Sequence, residues 1–514
     1  MQIPSQLIRS LIGLKGFNQQ SFQEVHTSGE QVTSIRFNPL KNSIVNNEWV
    51  IKKNFSMTDE RLQTPGSQLQ PPDTLLPAPH SLHLAIGSRL LTPGSLLPTL
   101  SPVPWSSKGF YLNHRPSFTF DPLLHAGCYY VQEASSMFLE EAFKQTVDTS
   151  TDLKILDLCA APGGKSALLQ SIITPSSLLV SNDVIKSRSG ILEETMTKWG
   201  GANVIVTNND PKDFARLENF FDAVVVDAPC SGSGLFRKDP SAIDEWSGQN
   251  VQLCSQRQQR ILADVWPALK KDGILIYSTC SYSKEEDEDI LDWVTENLPA
   301  VPCKLSMNVE WGIVETVSEK HGIPGYRFWP DQVKGEGFFI ACFRKMDGGD
   351  YSQRIAKKYK IELLNKSEEA LIFPWLKKDI PVQLIKFSES ILALPRGIDH
   401  DFLLLTMHSF YIRQAGIRIG KIAGKDLIPD QALAVSNLIN EELVAVSLNH
   451  QQAIQYLRRE EVQVNNSNSI EGRSGIKRQG WTLVKYEGIN LGWIKILQNR
   501  INNYYPKEWR ILKK

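Results

Sequence analysis

Apolar and polar positions change their period along this chain, and one long stretch stands out. From about 153 to 345, short apolar runs read LKILDL (153–158), SLLVSND (177–183), ANVIVT (202–207), DAVVVDA (222–228) and GILIYST (273–279). Between them, apolar residues recur at helical spacing over 164–172, 187–199, 255–270 and 284–297. Near-continuous apolar strands alternating with helices are the pattern of a parallel sheet buried on both faces. A doubly wound α/β unit is predicted, with VEWGIVET and GEGFFIACFRK as a closing pair of strands.

The flanks read differently. Residues 1–41 predict a short helical start followed by SIRFNPLK, whereas 61–104 are rich in proline, leucine, serine and threonine. Thr64-Pro-Gly-Ser67 recurs there as Thr92-Pro-Gly-Ser95. Proline removes backbone donors and disfavours helix before it, so an extended insertion without a catalytic role is expected. Beyond 350 a lysine-rich segment leads into a mixed region and then an αβ-like stretch ending WTLVKYEGINLGWIKILQNRINNYYPKEWRI. Three units are expected: an N-terminal region over 1–104, an α/β domain over 105–346, and a C-terminal region over 347–514 that ends in a small separate domain.

Composition agrees with that division. A chain of 514 residues carries roughly three structural units, and 41% hydrophobic with 22% charged residues is the balance of a folded protein. No secretory leader and no run of about 18 apolar residues is found, so a cytoplasmic, non-membrane protein is expected. Seven cysteines, an odd number without a Cys-x-x-Cys pair, indicate neither a disulfide framework nor a zinc site. A metal-free monomer is the expectation. Zero net charge argues against a wholly basic nucleic-acid coat, yet from Arg473 to Lys514 ten Lys or Arg face two Glu. That excess suits phosphate contacts, and equally a solvated tail.

Open parallel sheets hold ligands beyond the carboxyl ends of their strands. The first run ends in Asp157-Leu-Cys-Ala-Ala-Pro-Gly-Gly-Lys165, where glycines let the backbone approach a nucleotide-like cofactor. It is neither a dinucleotide G-x-G-x-x-G turn nor a phosphate-binding G-x-x-x-x-G-K-[ST] loop, because Cys159 stands at the first glycine position of the latter. Asp183, about 20 residues beyond this turn, is placed to accept from ribose hydroxyls or to cap a helix. Asp210, after the third run, falls near an adenine edge or serves its own loop.

The fourth run opens into Asp227-Ala-Pro-Cys-Ser-Gly-Ser-Gly234 and the fifth into Ser278-Thr-Cys-Ser281. Two thiols, Cys230 and Cys280, therefore fall at neighbouring strand ends beside the cofactor crevice. Carbon 5 of cytosine is a poor nucleophile, but thiolate addition at carbon 6 makes it enamine-like and able to accept a methyl group from a sulfonium. A second thiol can assist elimination, and a carboxylate such as Asp227 can stabilise the activated ring. Lys165 is the nearest positive group able to depress a thiol pKa, or else a brace for the loop. Which thiol attacks does not follow from this placement.

DLCAAPGGK, DAPCSGSG and STCS in this order resemble the Sun/Nop family of RNA cytosine-5 methyltransferases, most closely its bacterial RsmF-like branch. HAGCYYVQEASSM (125–137), FRKDP (236–240) and HGIPGYRFWPDQVKGEGFFIA (321–341) extend the resemblance, which covers 105–345 strongly and 1–41 loosely. It implies a Rossmann-like class I methyltransferase using S-adenosyl-L-methionine, with an N-terminal RNA-binding extension and an α+β PUA-like C-terminal domain. It further implies Cys280 as nucleophile and Cys230 as the thiol that releases product; DNA cytosine methyltransferases attack with the Pro-Cys thiol instead. Cofactor contacts map onto Cys159, Ala160, Ala161, Pro162, Gly163, Gly164 and Lys165, with Asp183, Asp210 and Asp227. Candidate RNA contacts are Arg36, Arg237, Lys238, Lys485, Lys495 and Arg500. Trp481, Trp493, Tyr504 and Tyr505 could stack on bases or form the small domain's core. The substrate implied is small-subunit ribosomal RNA, with transfer RNA as the alternative and a non-catalytic RNA-binding assembly factor as the rival from another class.

Overall fold

In the computed structural model, which describes residues 3–41, 100–349, 351, 361–378, 380–463, 470–471 and 479–513, the alternating stretch forms most of a ten-stranded sheet. Its parallel strands are β1 (Lys154–Asp157), β2 (Leu178–Asn182), β3 (Val204–Thr207), β4 (Phe221–Asp227) and β5 (Leu269–Thr279), in the order β3-β2-β1-β4-β5. The pleat sorts their residues. Leu156, Val180, Val224 and Val226 face one core layer, while Ile155, Leu179, Val204, Val206 and Val225 face the other. Each such side chain contributes about 1.5–3 kcal/mol by leaving water, which outweighs the weak helix–strand preference of so short a run.

Beyond β5 lie β6 (Ala300–Cys303), β7 (Val314–Val317), β8 (Pro324–Phe328) and β9 (Phe338–Lys345). Strand β9 runs antiparallel to β5, β8 pairs with β9, β7 pairs with β8, and β6 also pairs with β9. The expected closing pair is thus corrected: β8 stands between its two members. Arg327 inside β8 hid it from the hydrophobic pattern, because the charge is buried against Asp287 and Glu288. The helices Gly164–Gln170 and Lys186–Trp199 lie close to where they were expected. The third expected helix is Gly248–Val265, preceded by the short helix Ser241–Glu245 and beginning earlier than expected: Ser247 caps it by accepting from the Asn250 N–H, and Trp266-Pro267 follows its end. The fourth is Glu288–Asn297, preceded by a short 3₁₀ turn, Lys284–Glu286.

The N-terminal unit crosses the expected boundary at 104. Thr33–Phe37 pairs with Gly109–Leu112 and with Tyr129–Val131, and Leu100–Pro102 completes a four-stranded sheet. Ahead of it, the helices Ser5–Leu11 and Gln19–Thr27 bury Leu7, Leu11 and Phe22 among Phe236, Trp246, Tyr282 and Trp329. The proline-rich insertion expected at 61–104 lies, up to residue 99, outside the described residues.

After 346 the chain makes two further five-stranded sheets. One holds Glu362–Leu363, Val382–Phe387, Ser390–Pro395, Ile417–Ala423 and Asp426–Pro429. The other holds Ala445–Leu448, Ile470–Glu471, Gly480–Tyr486, Ile489–Ile496 and Ile501–Asn503. Between the first sheet's strands, β10 (Ile412–Ala415) leaves to pair antiparallel with β3 and complete the central sheet. Arg413 fixes the join by an ion pair to Glu193 at 2.9 Å. Phe402, Leu405, Phe410 and Ala415 enter the same core cluster as β1, β2 and β4. The C-terminal region is therefore not wholly separate: IRQA is too short and polar to announce a strand that crosses between units. Among the described residues no helix is long and apolar enough to cross a membrane.

Candidate active site

The carboxyl ends of β1, β2, β4 and β5 converge on one crevice. After β1 the chain turns through Cys159–Gly163, with a cis Ala161–Pro162 bond and Gly163 at φ 113° opening the helix Gly164–Gln170. A Cβ at Gly163 would stand 2.7 Å from Thr195 Cγ2, so glycine is required twice, by conformation and by space. The turn is braced from outside: Arg188 Nη2 donates to the Ala161 carbonyl at 2.6 Å and Thr195 Oγ1 to the Pro162 carbonyl at 2.7 Å.

Two acids beneath this turn have unfilled oxygens. Asp157 accepts from Ser166 Oγ at 2.6 Å through Oδ2, while its buried Oδ1 has no hydrogen-bond partner. Burial, with the nearby Asp227 and Asp183 charges, pushes its carboxyl up to about 7, against the Ser166 bond. Asp183, at the end of β2, spends Oδ1 on the Ile185 N–H at 2.9 Å. Its Oδ2 accepts no hydrogen bond and has only Arg188 Nη1 at 3.4 Å. A buried acceptor left open at a strand end fits a ribose hydroxyl donor. Asp210 is placed after β3, where it caps the 3₁₀ turn Pro211–Arg216 by accepting from the Lys212 N–H at 3.2 Å. Cys159 is half-buried, and its thiol is pushed up by burial and by Asp157, Asp183 and Asp227.

On the other side of the crevice the two expected thiols meet. Cys230 Sγ and Cys280 Sγ are 2.9 Å apart, both partly exposed, at the ends of adjoining parallel strands. The hydrogen bond with Cys280, then burial and the Cys280 and Glu286 charges, push the Cys230 thiol well above its ordinary range. Lys165 reaches across from the glycine turn, with Nζ 2.8 Å from Asp227 Oδ2. Burial pulls its ammonium down, but Asp227, Asp157 and Cys280 together lift it above the ordinary lysine value. Ser278 Oγ donates to Asp227 Oδ1 at 2.8 Å and fixes the carboxylate between the thiols and the turn.

The sequence reading missed the support under the thiols. Glu286 is fully buried and accepts from the Ser231 N–H at 2.7 Å, Ser231 Oγ at 2.5 Å and Ser281 Oγ at 2.6 Å. Serine follows each cysteine, which was a visible signal; the acid six residues after Cys280 was not connected to it.

Of the candidate RNA contacts, Arg36 and Arg237 are corrected by their burial. Arg36 spends its guanidinium on Gln132 at 2.9 Å and Ser171 at 3.2 Å and stacks over Trp199, and burial pulls it down to about 9. Arg237 donates to the Gly335 and Glu30 carbonyls at 3.2 and 2.9 Å, inside the molecule. Neither presents a charge to a phosphate. Lys238 and Arg500 are exposed, and Lys485 and Lys495 half-buried, with Lys495 over the Trp481 ring. Trp493 and Tyr505 are core residues of the last sheet, whereas Tyr504 is 42% exposed against Trp481. Among the described residues no cluster of His, Cys, Asp or Glu could hold a metal ion.

Parallel order β3-β2-β1-β4-β5 closed by an antiparallel strand, with a glycine turn after β1 and acids at the next strand ends, defines a Rossmann-like methyltransferase. The solved structure of the protein PH0851 shares the fold, with a TM-score of 0.52 at 21% identity over 67% of this chain and 66% of that one. The family described as 16S rRNA methyltransferase RsmB/F matches residues 144–344, the RsmF N-terminal domain matches 89–134, and the methyltransferase RsmF PUA domain matches 444–511. Over these three stretches the chain matches the RsmB/F methyltransferase family and its RsmF branch. The ribosomal RNA small subunit methyltransferase F of Shewanella woodyi is 29% identical over 422 residues, 80% of this chain and 85% of that protein. Its namesake in Shewanella loihica is 27% identical over 420 residues, 79% and 83% of the two chains.

Proposed function

We propose that this chain transfers a methyl group to carbon 5 of a cytosine in small-subunit ribosomal RNA, with Cys280 as nucleophile and Cys230 as its partner in release. The carrying observation is the thiol pair, 2.9 Å apart beside the Lys165–Asp227 ion pair at the mouth of a methyltransferase crevice. RNA binding needs neither thiol.

S-adenosylmethionine, when bound, supplies an electrophilic methyl group on its sulfonium. The chain's own residues do the rest. Backbone from Cys159 to Gly164 lines the crevice, Asp183 Oδ2 is open to a ribose hydroxyl, and Asp210, which caps the turn after β3, would meet the adenine edge. Cys280, as the thiolate, bonds to carbon 6, and the displaced electron pair makes carbon 5 nucleophilic. Asp227 accepts from the exocyclic amine, while Lys165 balances negative charge at the thiols. Once carbon 5 carries the methyl group, its proton passes to a base beside the ring, the C–H electron pair restores the carbon 5–carbon 6 double bond and expels Cys280 as thiolate, and Cys230 assists that departure.

Residues 105–346 then form the catalytic unit, and the flanking regions hold the RNA, with Lys238, Lys485, Lys495 and Arg500 as phosphate contacts. A cytoplasmic, monomeric enzyme acting on ribosomal RNA is the setting this reading entails. The test is transfer of labelled methyl from S-adenosylmethionine to isolated small subunits, transfer RNA and DNA, followed by bisulfite sequencing of the labelled pool. A single protected cytosine in small-subunit RNA is expected. Labelling confined to transfer RNA would move the substrate, and no labelling of any pool would favour a binding role.

A further inference from the structure

Ser231 and Ser281 occupy equivalent places, each directly after one of the two thiols, and both are pinned to one carboxylate. Glu286 Oε2 takes both hydroxyls at 2.5 and 2.6 Å, and Oε1 takes the Ser231 N–H at 2.7 Å and Gln258 Nε2 at 3.4 Å. The same Gln258 nitrogen donates to the carbonyl of Pro229, directly before Cys230, at 3.1 Å. The Tyr277 hydroxyl on β5 donates to the Glu286 carbonyl at 2.6 Å and lies 3.0 Å from Gln258 Oε1. Every arm of this network ends on a segment carrying a thiol or on the elements beneath it.

Among the described residues no cation lies within ion-pair distance of Glu286. A buried carboxylate without a cation is costly, and a buried polar group held only for packing would be better replaced by an apolar one. What an apolar side chain cannot supply is four acceptor positions and a negative charge under Cys230. The two thiol loops are also joined by the Gly234 N–H to the Cys280 carbonyl at 2.8 Å and the Tyr282 N–H to Ser233 Oγ at 2.9 Å, while Ser231 Oγ and Ser233 Oγ each lie 3.4 Å from Ser281 Oγ. The Glu286 contacts to the two serines, at 2.5 and 2.6 Å, are the shortest of the set.

We infer that Glu286 is a positioning residue that clamps the Cys230 and Cys280 loops together. Its buried charge, bonded to the Ser231 N–H and hydroxyl directly after Cys230, also disfavours a second negative charge on that thiol. It does not touch the base; it acts through Ser231 and Ser281. This inference deepens the proposed reaction and rests on it for the roles of the thiols. The charged groups facing the pair are Glu286 below it and Asp227 with Lys165 on the cofactor side, while Asp287 and Arg327 lie behind Thr279. Glu286 also holds up the Cys254 thiol on the neighbouring helix, after burial.

The test uses two substitutions in the full chain. Glu286→Gln keeps the shape: its oxygen can take the Ser231 N–H while its amide nitrogen faces two hydroxyls that can turn to accept, so only the charge is lost. Glu286→Ala removes the clamp. Iodoacetamide alkylation, mapped to each cysteine by peptide mass spectrometry across pH, reads the thiols without any substrate. In Glu286→Gln, Cys230 should alkylate at lower pH, by about one unit, with narrowed discrimination between the two cysteines. In Glu286→Ala, methyl transfer should fall about 10- to 100-fold in kcat with KM for RNA and cofactor affinity within about threefold, and covalent RNA adduct should persist. Glu286→Gln should recover part of that rate.

An unchanged Cys230 profile in Glu286→Gln overturns the electrostatic half of the inference, and a kcat within about twofold in Glu286→Ala overturns the clamp. If Glu286→Ala does not fold, Ser231→Ala/Ser281→Ala removes the same hydroxyl arms and must show the same loss of kcat. If the wild-type chain methylates no RNA, the proposed reaction fails while the alkylation profiles still judge Glu286.

Discussion

Lys165 and Asp227 meet at 2.8 Å across the crevice, joining the turn after β1 to the end of β4. The contact links the cofactor side to the base side, because Asp227 is also held by Ser278 and Lys165 interacts with Cys280. Removing the cation should therefore harm chemistry more than stability. We expect Lys165→Met to lower single-turnover methyl transfer by about 100-fold, while its partner, 32% exposed, can be solvated and keeps the fold loss near 1 kcal/mol or below. Stopped-flow transfer rates and denaturant melts separate the two. A variant that lost stability but kept its rate would reduce Lys165 to a brace for the loop.

The thiols make a directional prediction. Cys280→Ala should abolish turnover while RNA still binds, because no bond to carbon 6 can form. Cys230→Ala should leave that bond able to form but slow to break, so an RNA–protein adduct should survive denaturing electrophoresis. A trapped adduct in Cys280→Ala instead would exchange the two roles.

His26 predicts a pH dependence of stability. It packs 4.2 Å from the Phe22 ring, its Nδ1 donates to the Phe22 carbonyl at 2.7 Å, and burial pulls it down to about 4 from 6.5. Between those values the unfolded chain binds a proton that the folded one refuses. The contribution, about 3 kcal/mol at most, is whole above pH 6.5 and is lost as pH falls towards 4. Asp121, raised by burial to about 6, acts in the opposite sense over pH 4–6, so the whole-protein slope mixes signs. The comparison that isolates His26 is His26→Asn, whose amide can keep the donor to Phe22. Its stability difference between pH 7.5 and pH 5 should shrink relative to wild type, and an equal difference would mean that the ring is not held neutral.

How far the sequence reached depended on whether burial and apolarity coincided. β1 to β4 are apolar and buried, so they could be read directly; β8 is buried but carries Arg327, and it could not. β10 alternates polar residues and belongs to a distant segment, so no local pattern ties Ile412 to Thr207. At the site, strand ends brought Cys230, Cys280, Asp227 and Lys165 together as their spacing suggested. Arg36 and Arg237 were misjudged because charge was taken for exposure. Glu286 went unread because its meaning lies in two serines from different strands.

That same confusion of charge with exposure bears on the basic C-terminal stretch. Residues 473–514 are not a detachable tail: Trp493 and Tyr505 are buried core, and Gly480–Tyr486 and Ile489–Ile496 are strands of the last sheet. Deleting them would remove much of that sheet's core and confound any RNA measurement. The cleaner test is Lys495→Glu with Arg500→Glu, on the half-buried and exposed rims of Ile489–Ile496 and Ile501–Asn503. If these side chains contact phosphates, affinity for small-subunit RNA should fall and the slope of log K against log salt should flatten by about 1–2. Cofactor affinity should be unchanged, since the crevice at β1 and β2 is a separate part of the fold. Equal salt slopes in the variant and wild type would place the RNA elsewhere and leave this basic stretch as a solvated rim.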